Sequence, residues 1–170
     1  VVGFLRERAV DMIVLATDQD KGRARWLENS VAQPVARKSR QMTLFVPAGV
    51  KGFVSFQDGT VSLKRVLIPV APVPTAQPAI EAAVRLAQRI NCPTGQFTIL
   101  SVGDDSEMPD LTYPELAGWE WTKKSQKGDV TQVILETART TEADLIVMST
   151  EGRNGFLDAL RGSHTEQVLR

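Results

Sequence analysis

The stretch ADLIVMSTEGRNGFLDALRGSHTEQVLR, residues 143–170, decides the fold. Its residues 145–148, Leu-Ile-Val-Met, form a short unbroken apolar run, as in a strand buried on both faces of a parallel sheet. Gly152 and Gly162 then punctuate a loop, where a missing Cβ lets a ligand approach the backbone. Ser163 with Glu166 three positions later makes a capping box, so a helix is expected to start at Ser163 with its free N–H groups and positive dipole end facing the loop. Strand, glycine-bearing loop and helix N-terminus in that order outline an anion site.

A shift of 133 residues finds the same pattern again over residues 10–37, VDMIVLATDQDKGRARWLENSVAQPVAR. Asp11 matches Asp144, Ile13 matches Ile146, Thr17 matches Thr150, Gly22 matches Gly155, Leu27 matches Leu160, Ser30 matches Ser163 and Arg37 matches Arg170. Agreement in register without insertion is an internal repeat. Ser30 and Gln33 keep the capping box, but Gln19 and Asn29 replace Gly152 and Gly162. The first copy therefore keeps the helix and loses the loop, and reads as structural. Val1 falls opposite Ile134, inside a helix of the second copy, and the first copy runs on into a further strand at residues 42–46 that the second does not reach. The expected organisation is a segment of a tandem protein: residues 1–49 as the last third of a degenerate first domain, 50–64 as a connector, and 65–170 as a second domain without its last strand. Residues 42–46 are expected to take the missing strand's place beside residues 145–148, or strand edges to pair between two chains.

The connector carries alternating residues around Asp58-Gly59, the pair that best marks a hairpin. From Arg65 the pattern alternates strand with helix: residues 66–70, a helix with Ile80, Ala83, Val84, Ala87 and Ile90 at helical spacing, and a strand over 97–102. Residues 103–118 are acidic and proline-punctuated without helical periodicity. Trp119 and Trp121 share one face of the next strand. A last helix starts at Gly128 and Asp129, with Asp129 as N-cap and Val130, Val133, Ile134 and Ala138 inward. Such alternation means an α/β fold with a doubly wound parallel sheet and right-handed crossovers.

Composition excludes several classes. Twenty basic and twenty acidic residues cancel, which removes the footprint of a general nucleic-acid or membrane binder. No apolar run reaches transmembrane length. A single cysteine, Cys92, forbids an internal disulfide and fits the cytoplasm; it reads as core packing. His164, the only histidine, falls in the first turn of a helix, where its charge opposes the dipole, and reads as a surface residue. Asp104, Asp105, Glu107 and Asp110 read as a solvated loop, and no residues take zinc spacing, so no metal ligand is assigned. No catalytic group is assigned either, since nothing is evidently placed to activate water.

The spacing Ser149-x2-Gly152-x9-Gly162-Ser163 resembles the nucleotide loop of the universal stress protein family, G-x2-G-x9-G-[S/T] after the fourth strand, with Ser149 in the place of the first glycine. The resemblance implies a five-stranded sheet of order 3-2-1-4-5, of the adenine-nucleotide α-hydrolase kind, with the crevice between first and fourth strands. It implies that Pro69, Val70 and Val102 line an adenine pocket, that Met148 and Ser149 flank base and ribose, and that Gly152, Gly162, Ser163, His164 and Thr165 cradle the phosphates of ATP with Mg2+. Family binders carry an Asp where this chain has Ala71. The function implied is an ATP-binding regulatory module in stress adaptation, pairing as a homodimer or between domains through the fifth-strand edge. The alternative is the same fold as a dimerisation or interaction scaffold without nucleotide.

Overall fold

Apolar strands alternating with amphipathic helices build one parallel sheet from Arg65 onward. The computed structural model describes residues 4, 8, 10–17, 35, 41–47, 49–50, 52–103 and 108–149. Among them are strands β1 (Met12–Thr17), β2 (Met42–Pro47), β3 (Arg65–Val70), β4 (Gly95–Val102), β5 (Trp119–Gln126) and β6 (Leu145–Ile146), and helices α1 (Gln77–Arg89) and α2 (Val130–Thr140). Four strands form a sheet in the order β5-β4-β3-β6, all pairs parallel. Counted from Arg65, that is third, second, first and fourth strand, so the chain reverses direction across the sheet at β3.

The two faces are covered by different elements. Val66, Ile68 and Val70 of β3 pack with Phe97 and Ile99 of β4 against Ala79, Ile80, Ala83, Val84 and Ala87 of α1. Leu67 and Leu100, on the alternate positions, pack on the other face with Ile134 of α2. Strand alternation and helical spacing thus converge on the residues expected from the pattern. Asp129 caps α2, its carboxylate accepting the Gln132 N–H at 2.9 Å. Both helices end on a left-handed residue that is not glycine, Asn91 at φ 53° and Glu142 at φ 49°. In each the next two N–H groups fold back on the last turn, Asn91 to Gln88 and Cys92 to Ala87, Glu142 to Arg139 and Ala143 to Ala138.

Where the β4–β5 crossover reaches residues 108–118, it runs without helix and is held by side chains instead. The Gln77 amide donates to the Thr112 carbonyl at 3.2 Å and accepts the Thr112 N–H at 3.0 Å. The Phe97 ring is stacked between Trp119 and Trp121, each centroid 4.4 Å away, and Tyr113 tilts on Trp121 at 5.2 Å. Both indoles satisfy their N–H inside this layer, Trp119 on the Cys92 carbonyl and Trp121 on the Pro114 carbonyl. Cys92 is buried in the same core, and burial pushes its thiol up.

The Asp58-Gly59 turn closes a hairpin as expected: Val54 and Val61 bridge antiparallel, Gly59 takes φ 73°, and Asp58 Oδ1 accepts the Thr60 N–H at 3.0 Å. It is more than a solvated connector, since Leu63 is buried and Phe53 and Val61 pack on the α1-side core.

One expectation is corrected. Residues 42–46 do not lie beside residues 145–148; β2 pairs in parallel with β1 from Met12↔Met42 to Thr17↔Pro47, in a separate two-stranded sheet. A continuous six-residue ladder with the strand next in sequence satisfies the backbone of β2 locally, and β6 keeps β3 as its partner.

Candidate functional site

The seam between β3 and β6 is pinned by side chains at one end and unpaired at the other. At the entry of both strands, Asp144 Oδ2 accepts the N–H groups of Lys64 and Arg65 at 2.9 and 2.8 Å, while its own N–H donates to the Arg65 carbonyl at 2.8 Å. Arg65 answers by donating Nε to the Glu142 carbonyl at 2.9 Å and placing its guanidinium 2.9 Å from the Glu142 carboxylate. This clamp was not singled out in the sequence, though Asp11 and Asp144 were its signal: one acid repeated at the entry of both strands.

At the exit, pairing is lopsided. β3 stays in register with β4 through Val70↔Ser101, but with β6 only through Leu67↔Ile146, with one further bond from the Val147 N–H to the Leu67 carbonyl. Extending that register sets Met148 and Ser149 level with Pro69 and Val70. Four of the expected residues, Pro69, Val70, Met148 and Ser149, thus gather at the carboxyl end of the two strands. Val102 ends the neighbouring β4, where Gly103 is tied to β5 by its N–H on the Gln126 carbonyl at 2.9 Å. The side chains divide between faces, with Val70 on the α1 side and Val102 and Met148 on the α2 side. Gly152, Gly162, Ser163, His164 and Thr165 lie outside the described residues.

Ser149 stands out chemically. Its Oγ is buried and has no hydrogen-bond partner among the described residues. A buried hydroxyl without a partner costs roughly 1–3 kcal/mol, a cost a ligand group can relieve. Ala16, 133 residues earlier near the end of β1, carries no hydroxyl. Ala71, by contrast, is exposed and brings no polar side chain to the crevice. The described residues therefore fit a neutral, largely apolar ligand portion held by backbone and one hydroxyl, and offer it no charge. No helix among them is long and apolar enough to cross a membrane.

A parallel sheet with helices on both faces, strand order reversing at β3 and a crevice at the carboxyl ends beside the reversal define a doubly wound α/β protein with a switch-point site. Residues 115–170 match the model of the Universal stress protein family. The fold agrees: a crystal structure of a universal stress protein from Archaeoglobus fulgidus DSM 4304 is similar with a TM-score of 0.66 and 19% identity, over 94% of this chain. The chain spans 56% of that relative's length. No curated protein matches it.

Proposed function

We propose that this chain is an adenine-nucleotide-binding regulatory module of the universal stress class, taking ATP, with Mg2+, in the crevice between β3 and β6. The observation that carries this reading is the buried Ser149 hydroxyl, without a partner among the described residues, just beyond the end of the β3–β6 ladder. In this reading Pro69 and Val70 flank the base, Ser149 bonds the ribose or base edge, and Gly152, Gly162, Ser163, His164 and Thr165 receive the phosphates at a helix N-terminus. Binding serves regulation rather than catalysis, because no residue is assigned to activate water. The working compartment is the cytoplasm, and residues 1–49 act as a degenerate copy that supports assembly through strand edges.

The test is thermal melting of the full chain with and without millimolar ATP and Mg2+, for wild type, Ser149→Ala and Gly152→Val. Ligand that binds only the native state stabilises it by about 2.7 kcal/mol at a hundredfold excess over Kd. Wild type should shift. Ser149→Ala should fold, as Ala16 does in the first repeat, and bind about 5- to 30-fold more weakly for one lost hydrogen bond. Gly152→Val should abolish the shift. A wild type that does not shift would leave the nucleotide-free scaffold, which the apolar Ala71 already favours.

A further inference from the structure

The unequal pairing of β3 has a chemical cause in its own sequence. The Lys64 carbonyl points to β4, as the Gln96 N–H to Lys64 carbonyl bond at 2.7 Å shows, and the carbonyls of Arg65 and Leu67 point to the β6 side, receiving the N–H groups of the flanking Asp144 and Val147 at 2.8 and 2.9 Å. Alternation makes residue 69 the next to face β6. After the bond from the Val147 N–H to the Leu67 carbonyl, the next rung of a parallel ladder is the N–H of residue 69 to the Val147 carbonyl. Residue 69 is Pro69, which has no N–H. On the β4 edge, where residues 68 and 70 supply the groups, the register runs on to Val70↔Ser101.

We propose that Pro69 is a positioning residue that stops the β3–β6 ladder at that rung and so holds the two strand ends apart as the ligand slot. The Val147 carbonyl is then deprived of its ladder donor, the buried Ser149 hydroxyl stands two residues beyond it, and a ligand edge carrying an N–H or O–H donor completes the rung. The inference rests on the nucleotide reading for the identity of the ligand, but the ladder itself can be examined without one. Opening by a missing donor differs from opening by strand reversal alone, because it vanishes when the donor is restored.

The experiment compares the full chain with Pro69→Ala and Pro69→Val, two substitutions that restore the N–H, the second with a strand-favouring side chain. Amide hydrogen exchange reads the ladder, and calorimetric titration with ATP and Mg2+ reads the slot. The expected result is a protected residue-69 amide, increased protection at Ser149, and ATP affinity reduced about tenfold or more, since the ligand then binds only the minor unzipped state. A residue-69 amide that exchanges freely in both folded variants overturns the proposal, showing that topology alone parts the strands. Unchanged ATP affinity with a protected amide also overturns it, by separating the ladder from the slot. A wild type that takes no ATP defeats the nucleotide reading instead, and the exchange data still decide whether Pro69 ends the ladder.

Discussion

Removing the Phe97 ring should show how far the aromatic layer substitutes for a crossover helix on the β4–β5 side of the sheet. Phe97 is fully buried, and its two faces are occupied by Trp119 and Trp121 at 4.4 Å. Truncation of a fully buried Phe to Ala costs about 3–5 kcal/mol when the cavity cannot collapse. Collapse is hindered here, because each indole is anchored by its N–H, on Cys92 and on Pro114. Phe97→Ala should therefore fall near 4 kcal/mol, a large part of the usual 5–15 kcal/mol total. Phe97→Leu keeps much of the volume but forfeits both stacked pairs, each worth about 0.5–1.5 kcal/mol, so about 2 kcal/mol is expected. Urea unfolding followed in parallel by tryptophan fluorescence and far-ultraviolet circular dichroism measures both. If Phe97→Leu lies within 0.5 kcal/mol of wild type, the stacks contribute nothing beyond burial. If Phe97→Ala costs less than about 2 kcal/mol, the indoles relax into the cavity and the layer is not rigid.

Two further substitutions examine the backbone that frames the sheet. Glu142 sits at φ 49°, and replacing it by Gly should stabilise by about 0.5–1 kcal/mol in a denaturant titration, relief of left-handed strain exceeding loss of the exposed ion pair to Arg65. Gly118 has φ 80°, and a Cβ there would collide with the Pro93 carbonyl oxygen, so Gly118→Ala should lower stability by at least about 2 kcal/mol and depress the melting temperature measurably; a neutral outcome would mean that the loop before β5 shifts freely.

Much of the fold from Arg65 onward could be read from its residues, since period and burial agree there. Val66, Ile68 and Val70 against Ile80, Ala83 and Val84 follow directly from apolar runs and helical spacing, and the Asp58-Gly59 turn and the Asp129 cap are local hydrogen-bond chemistry. Residues 42–46 were misplaced because every apolar strand offers the same backbone groups on its edge, and pattern alone does not choose among partners. The Asp144 clamp escaped notice for a related reason: its donors, Lys64 and Arg65, are 80 and 79 positions away in sequence.

The sequence by itself determined the elements, their inward faces and the family resemblance, all of which depend on near neighbours along the chain. Tertiary structure alone decided that β2 meets β1, that β3 is zipped to β4 along its whole length but to β6 only at its start, and that the Ser149 hydroxyl is left buried without a partner among the described residues. Hydrogen bonding between strands is a property of two edges brought together, and a missing donor such as that of Pro69 acquires meaning only once the fold has fixed which neighbour it faces.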